Sequence, residues 1–285
     1  MGMSIRRRLP LNKYPRHLML ELTAKCNFHC PYCYCVWHEF PTLASPELDT
    51  DGWRRVMDEC AVDGVKEILF TGGEALLRKD LFAILDYARR TVPKAKFSLF
   101  TNASRLTEPL ICAFRLRRVE LATSLQGLRS YGAMTGTRRK YNRLLAVLSL
   151  AAELKWPLSV SMTITKANLG EATDMFVAAA LSGASRIQMG AMMAEGRGRE
   201  HLDLMLTRQE WEGVKASVRG LPDAHVPYSF CEEFICECRD QPQSFREKWS
   251  EPNHRPCPAG KTFGVVGPNG RFRACLHAVE VNSRT

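Results

Sequence analysis

Short apolar segments alternate with amphipathic helical segments from residue 17 to about residue 220, and this alternation restricts the fold more than any other feature. Six segments are predicted strands: 17–22, 66–70, 96–100, 119–125, 158–164 and 185–190. The first helical segment places Trp53, Val56, Met57 and Cys60 at helical spacing. Strand and helix repeated in this order predict an α/β fold with a parallel sheet and external helices. Right-handed crossovers curl such a sheet toward a barrel or a doubly wound layer.

Polar and cysteine residues follow these predicted strands. In either architecture, ligands bind where the carboxyl ends of the strands meet their loops. A cysteine group follows the first strand, Thr71-Gly72-Gly73-Glu74 follows the second, and Thr101-Asn102 follows the third. Ser124 to Gly127 follow the fourth strand, and Thr163 to Thr165 follow the fifth. The sequence therefore predicts a ligand site along this edge of the sheet.

The chain contains eleven cysteines, most of them in two groups. No run approaches the roughly 20 apolar residues that span a bilayer, and no secretory signal follows Arg6-Arg7-Arg8, so we expect a cytoplasmic protein without a membrane partner. Cytosolic thiols stay reduced, which favours metal or redox chemistry over disulfides. The two groups, at 26–35 and 231–275, suggest two sites.

The formal net charge of +10 comes from scattered basic residues and short runs such as Arg138-Arg139-Lys140. A solvated surface explains such a charge, and an acidic partner, such as a peptide segment or a phosphorylated substrate, is the functional alternative. Because no motif combines aromatic and basic residues to stack bases, nucleic acid is not an expected partner.

Cys26, Cys30 and Cys33 are spaced C-x3-C-x2-C on one short segment. Three thiolates at this spacing are soft ligands that suit zinc or an iron–sulfur cluster. A structural zinc ion requires a fourth ligand. A four-iron cluster held by three thiolates keeps one iron open, where a small molecule can bind.

With Tyr32 as the aromatic residue of C-x3-C-x-aromatic-C, and with Gly-Gly-Glu after the second strand, this pattern resembles the radical S-adenosylmethionine (SAM) enzymes. The resemblance implies a partial (β/α)6 barrel like part of a TIM barrel. It implies a [4Fe–4S] cluster, held by Cys26, Cys30 and Cys33, whose unique iron binds SAM. An electron, from an external donor such as flavodoxin or ferredoxin, would cleave SAM to a 5′-deoxyadenosyl radical that abstracts a substrate hydrogen.

The resemblance also assigns further residues to SAM. Tyr32 would lie near the adenine. Gly72, Gly73 and Glu74 would present backbone and carboxylate groups to the ammonium group of SAM. Contacts with the ribose or the methionine carboxylate would come from Ser124, Gln126 and Thr163. Cys35 is not explained by the motif and is interpreted as an incidental thiol, while Cys60 and Cys112 are expected in the core.

Residues 221–285 are rich in Pro, Cys and charge, and they resemble the SPASM or Twitch extension of radical SAM enzymes. Gly264–Ala274 is predicted to form a β-hairpin with Pro268-Asn269-Gly270 at its turn. The resemblance implies one auxiliary iron–sulfur cluster, because only ten residues follow Cys275, too few for a full SPASM domain. Its ligands would be Cys257, Cys275 and two of Cys231, Cys236 and Cys238. The remaining thiol would donate a hydrogen atom to a substrate radical or be unused, and a zinc knuckle is the structural alternative.

The alternation of strands and helices and the change of composition near residue 221 predict three parts of the chain. They are an N-terminal extension at 1–16, a barrel at 17–220 and a small cysteine-rich domain at 221–285. The general residue pattern of the barrel segment resembles that of peptide maturases, which crosslink, epimerise or oxidise ribosomally synthesised peptides. Dehydrogenation of a small molecule such as an aminocyclitol, and a non-catalytic electron carrier or scaffold, remain alternatives. A peptide leader would bind the barrel or a separate partner protein, since few residues precede the first strand. Arg197 and Arg199 are candidates for a substrate carboxylate or for solvated loop positions.

Overall fold

The computed structural model describes residues 14–222, 226–231 and 259–278. Within these residues, nine strands form one open sheet in the order β7-β6-β5-β4-β3-β2-β1-β8-β9. Neighbouring strands are parallel except β8 and β9. The strands are β1 (His17–Glu21), β2 (Glu67–Thr71), β3 (Lys96–Phe100), β4 (Val119–Ser124), β5 (Leu158–Ile164), β6 (Ile187–Ala191), β7 (Tyr228–Cys231), β8 (Phe263–Val266) and β9 (Phe272–Arg273).

Helices connect the first seven strands and cover one face of the sheet. They are α1 (Thr50–Asp63), α2 (Leu81–Thr91), α3 (Glu108–Leu116), α4 (Tyr131–Thr135), α5 (Asn142–Glu153), α6 (Ala172–Leu181) and α7 (Arg208–Arg219). This arrangement confirms the α/β class and the partial barrel. The six predicted strands differ from the observed ones by at most one or two residues at their ends.

Residue alternation along the strands separates the two faces of the sheet. On β5, Leu158, Val160, Met162 and Ile164 are buried in the core beneath the helices. The residues between them, Ser159, Ser161 and Thr163, are half-buried on the opposite, inner face. Since successive side chains of a strand point to opposite faces, the small polar residues line the concave side of the curled sheet.

Local signals explain where the helices begin and end. Asp49 accepts a hydrogen bond from the Gly52 amide at the start of α1, and Gly64 ends the helix with φ 70°. Trp53 and Met57 are fully buried, which confirms the predicted apolar face. A capping box of Thr207 and Glu210 begins α7, a helix that the sequence patterns did not single out.

The predicted hairpin is present as β8 and β9, with Val265 paired to Arg273 and Val266 paired to Phe272. Its turn closes through a hydrogen bond from the Gly270 amide to the Gly267 carbonyl, and Gly270 adopts φ 81°. Unexpectedly, β8 pairs in parallel with β1, so this part of the C-terminal segment extends the main sheet. A domain boundary near residue 221 stays a prediction.

Several sequence-based assignments lie outside the described residues, among them Cys236, Cys238, Cys257 and most of the N-terminal extension. In the described parts of the chain, none of the helices has the length and apolar character needed to cross a bilayer.

Candidate functional site

The loop of residues 22–35, named here the thiol loop, begins directly after β1 and carries Cys26, Cys30 and Cys33. Its first residues are held by side chains that come later in the chain. Glu47 accepts hydrogen bonds from the Thr23 hydroxyl and the Ala24 amide, both at 2.9 Å. Arg78 donates to the Leu22 carbonyl at 2.8 Å. These contacts fix the thiol loop at the carboxyl edge of the sheet, where the sequence predicted a ligand site.

Two glycines let neighbouring loops approach the thiol loop closely. A Cβ atom on Gly73 would lie 2.5 Å from the Lys25 carbonyl oxygen, and one on Gly196 would lie 2.6 Å from the carbonyl oxygens of both Cys33 and Cys35. Gly196 also adopts φ 56°, which residues with side chains rarely adopt. The loops after β2 and β6 therefore enclose the thiol loop from two sides through backbone contact.

The three motif thiols influence one another electrostatically. Burial raises the pKa of Cys26, and it raises the pKa of Cys30 to about 12. By contrast, hydrogen bonds from Cys35 and His38 hold the pKa of Cys33 well below its usual range. The Phe28 amide donates to the Cys26 sulfur at 3.4 Å. Sulfurs that receive hydrogen bonds on a short loop are suited to act as thiolate ligands.

These residues fit an iron–sulfur cluster by the chemistry of their donors. All three cysteines are free of disulfides and lie on the one loop that follows β1. Among the described residues, no three His, Cys, Asp or Glu side chains converge closely enough to hold a single metal ion. A multi-iron cluster attaches each thiolate to a different iron, so it does not require such a point.

Tyr32 and Cys35 lie close to these thiols. The Tyr32 side chain lies close to the Cys30 thiol, and its place near an adenine stays a prediction. Cys35 is buried beside Trp37 and Ala44. Its thiol hydrogen-bonds with Cys33, which raises the pKa of Cys35. Cys35 therefore lies beside the motif thiols, and its interpretation as an incidental thiol stays a prediction.

Glu74 lies at the carboxyl end of β2 and is almost fully buried. Its carboxylate accepts hydrogen bonds from the Thr101 hydroxyl at 2.7 Å, the Asn102 amide at 2.7 Å and the Leu76 amide at 3.0 Å. Burial raises the pKa of Glu74, and these hydrogen bonds oppose the rise. A carboxylate offers about four acceptor positions, so three bonds leave about one for a ligand.

Asparagine side chains join the end of β3 to the thiol loop. The side-chain amide of Asn102 donates to the side-chain oxygen of Asn27 at 2.9 Å. The side-chain amide of Asn27 donates to the Ser104 hydroxyl at 2.9 Å. The polar residues after β3 thus help to hold the thiol loop.

Gln126 and Thr163 are brought together at the ends of β4 and β5. The Thr163 amide donates to the side-chain oxygen of Gln126 at 2.7 Å. Asn168 donates to the backbone carbonyls of both residues at 2.9 Å. Ser124 is half-buried on the inner face below them. The three residues predicted to contact SAM therefore share one end of the sheet, and their contacts with SAM stay a prediction.

Arg197 and Arg199 are both used within the protein. The Arg197 backbone amide donates to the Cys33 carbonyl oxygen at 2.9 Å. The Arg197 guanidinium donates to the Cys30 carbonyl oxygen at 3.0 Å. Arg199 forms ion pairs with Glu39 and Glu195, each at 3.0 Å. Arg197 contacts the thiol loop, and the expected roles toward a substrate carboxylate or solvent stay predictions. The sequence did not predict the contacts of Arg197 with Cys30 and with His38, because these residues are far apart in the chain.

The C-terminal segment reaches the same region through Arg273 on β9. Arg273 forms a buried ion pair with Glu21 at the end of β1. Close by, the rings of Tyr34 and His277 meet edge to face at 6.0 Å between their centroids. Cys275, two residues beyond Arg273, is half-buried. This hairpin is therefore attached to the residues that flank the thiol loop.

Cys231 and Cys275 lie on elements at opposite ends of the strand order, Cys231 at the end of β7 and Cys275 after β9. The Cys231 sulfur accepts a hydrogen bond from the Gln188 side chain at 3.3 Å. The other predicted auxiliary ligands are outside the described residues, so the auxiliary cluster and the spare hydrogen-atom donor stay predictions.

Comparison with known proteins gives consistent matches. The Radical SAM superfamily profile matches residues 20–176. A PqqA peptide cyclase of Gluconobacter oxydans is 26% identical over 94% of this chain and 71% of its own length. An AdoMet-dependent heme synthase of Methanosarcina barkeri is 29% identical over 67% of this chain, which spans 55% of that protein.

A solved structure shares the fold. Streptococcus suis SuiB, bound to its precursor peptide SuiA, superposes with a TM-score of 0.70 at 16% identity. The match covers 95% of this chain and 62% of SuiB.

Proposed function

This chain belongs to the radical SAM superfamily, and from that premise we propose that it is an enzyme that modifies a ribosomally synthesised peptide. The observation that carries the proposal is the position of the thiol loop, which holds Cys26, Cys30 and Cys33 at the carboxyl edge of the sheet. When bound, the cluster supplies the electron that cleaves SAM to the radical that abstracts a substrate hydrogen. Membership of this family favours an enzyme over a non-catalytic electron carrier.

In this proposal the motif residues bind and orient SAM. Cys26, Cys30 and Cys33 hold the cluster, and Glu74 directs its remaining acceptor position at the ammonium group of SAM. Burial and three hydrogen bonds hold the Glu74 carboxylate in one orientation, which reduces the ordering that SAM binding would otherwise require.

The inner face of the sheet supports a polar substrate of some size. Ser124 pairs with Ser161, Ser161 with Gln188, and Gln188 with Ser229, so one polar row crosses four adjacent strands. Hydroxyl and carboxamide groups both donate and accept hydrogen bonds, as a peptide backbone requires. The sheet is open in its described part, so a chain-like substrate can enter from the side.

The comparisons with known proteins also support a peptide substrate. The Gluconobacter protein is named for a peptide substrate, and its similarity extends over 94% of this chain and 71% of its own length. We propose in addition one auxiliary iron–sulfur cluster near Cys275, an external donor such as flavodoxin or ferredoxin, and binding of a peptide leader to the barrel or to a partner protein.

A small-molecule substrate is the second candidate, and the heme synthase relative favours it. The two candidates separate in one assay with reduced, cluster-loaded enzyme. We expect short peptides encoded beside the gene to increase 5′-deoxyadenosine formation and to change mass. An increase only with small molecules, from a panel that includes aminocyclitols and tetrapyrroles, would contradict the peptide proposal.

Iron and sulfide analysis with electron paramagnetic resonance tests the site itself. We expect about eight irons per chain after anaerobic reconstitution, and about four when Cys26, Cys30 and Cys33 are all changed to Ala. The variant should lose the signal that SAM perturbs and should form no 5′-deoxyadenosine, while Cys112→Ala should match the unchanged protein. Unaltered iron in the triple variant would reject these ligands. If the unchanged protein holds about four irons and the triple variant holds none, the auxiliary cluster is rejected and the SAM cluster is not.

A further inference from the structure

We infer that Arg197 and His38 are positioning residues that set the reduction potential of the cluster bound by the thiol loop. This inference rests on the proposed assignment of Cys26, Cys30 and Cys33 as cluster ligands. It concerns two side chains that follow no recognised motif in the sequence and that lie outside the ligand set.

Arg197 holds the backbone of two ligands at once. Its amide donates to the Cys33 carbonyl at 2.9 Å, and its guanidinium donates to the Cys30 carbonyl at 3.0 Å. Gly196 makes this possible, because its missing side chain lets the loop lie against the carbonyl oxygens of Cys33 and Cys35. The loop after β6 therefore fixes the spacing of two of the three thiols.

Arg197 differs from Arg199 in its ionic partners among the described residues. In the described parts of the chain, Arg197 forms no salt bridge, whereas Arg199, two residues away, pairs with both Glu39 and Glu195. Because a guanidinium stays protonated, Arg197 places a positive charge beside the thiol loop.

His38 connects that charge to a ligand sulfur. The Arg197 guanidinium lies 3.4 Å from both ring nitrogens of His38. His38 in turn lies close enough to Cys33 to help lower the pKa of the Cys33 thiol. His38 ends the short helical turn Val36–His38, which begins just after Cys35, so its backbone is fixed close to the thiol loop.

A nearby positive charge and an N–H donor at a ligand sulfur both stabilise the reduced cluster, which carries one more electron. Removing either group should therefore lower the reduction potential. Arg197 also orders two ligands, so the potential must be measured on protein that retains its iron.

The test compares matched variants in redox titrations followed by electron paramagnetic resonance, with iron counted in each sample. Arg197→Gln should lower the equilibrium constant for cluster reduction at least tenfold, which is about 59 mV for one electron. His38→Phe should shift it in the same direction. Arg197→Lys, which keeps the charge, should remain closer to the unchanged protein. Arg199→Gln removes a charge from the same loop without touching the ligands and should change the potential much less.

Each outcome decides between the inference and the function it rests on. Absence of iron from the unchanged protein would reject the proposed cluster site. A potential in Arg197→Gln equal to that of Arg199→Gln, with iron retained, would overturn the inference alone. If Arg197→Gln fails to retain iron, His38→Phe decides, and an unchanged potential in that variant would overturn the inference.

Discussion

Glu74 is a single residue that serves the fold and the proposed site together. Its carboxylate receives hydrogen bonds from groups on two loops, Leu76 after β2 and Thr101 and Asn102 after β3. The sequence identified Glu74 through its Gly-Gly-Glu motif but did not indicate these partners. The site can therefore be impaired by a change in the hydrogen-bond partners of Glu74 as well as by a change in Glu74 itself.

Glu74→Gln should destabilise the protein and weaken SAM binding. The amide group of Gln would face a backbone N–H, leaving a buried donor unpaired at a cost of about 1–3 kcal/mol in the free energy of unfolding. We expect the dissociation constant for SAM to rise at least tenfold, because the anionic partner of its ammonium is lost. Urea denaturation and equilibrium binding to cluster-loaded protein measure the two effects.

Thr101→Val is the matched control, since it removes one hydrogen bond to Glu74 and one from the Ala103 amide and leaves the carboxylate charged. We expect it to lower stability to a similar extent with a smaller effect on SAM affinity. Equal affinity losses in the two variants would indicate that Glu74 acts through the fold and not through the ammonium group.

At the scale of elements, the loop after β6 is the part that most directly shapes the thiol loop. Gly196 begins the helical turn Gly196–Glu200, and this turn carries both Arg197 and Arg199. Periodicity predicted β6 but nothing about the conformation of the loop beyond it. The approach to Cys33 is a contact between elements more than 150 residues apart, as the 167-residue separation of Arg197 and Cys30 illustrates.

Gly196→Ala should separate these two elements. A Cβ atom would overlap the carbonyl oxygens of Cys33 and Cys35, and φ 56° is unfavourable for alanine, so we expect a loss of about 1–3 kcal/mol in stability. Iron retained after reconstitution should fall as well. Gly170→Ala, where a Cβ would meet nothing within 4 Å, is the control and should retain its iron. Full iron content in Gly196→Ala would show that the contact is dispensable for cluster binding.

At the scale of the whole molecule, the Glu21–Arg273 pair links residues 252 positions apart. It joins β1, where the thiol loop begins, to the C-terminal hairpin that carries Cys275. Burial raises the pKa of Glu21 to about 7, and Arg273 opposes that rise. The pair therefore makes the position of the hairpin depend on a charge in the sheet core.

Arg273→Met should destabilise the protein by about 3–5 kcal/mol at neutral pH, because it leaves Glu21 buried without its counter-charge. The pKa of Glu21 should rise further in this variant. A carboxyl that keeps its proton in the folded state and releases it near 4.5 when unfolded loses stability as pH rises above that value. The unchanged protein also binds this proton below about pH 7, so the deficit should be smallest and constant below that pH and should grow as pH rises above it.

Urea denaturation at pH values below and above 7 measures the effect. Arg271→Met, an exposed change in the same hairpin, should alter stability by less than about 0.5 kcal/mol at every pH. A deficit in Arg273→Met that does not vary with pH would show that packing of the arginine side chain matters more than its charge.

Features that depend on neighbouring residues could be predicted from the sequence. Alternating apolar residues predicted β1 to β6, helical spacing predicted the burial of Trp53 and Met57, and the spacing of Cys26, Cys30 and Cys33 predicted the candidate site. These signals are local, because a strand or helix repeats over a few residues and three thiols on one loop cannot be far apart.

Tertiary structure decided which distant residues meet. Periodicity marks a segment as a strand but carries no information about its partner, so the pairing of β8 with β1 could not be predicted. The same limit applies to Arg273 beside Glu21, and to Arg197 and His38 beside the thiols. Such contacts form only when the folded chain encloses a low-dielectric core in which buried charges and carbonyl oxygens require specific partners.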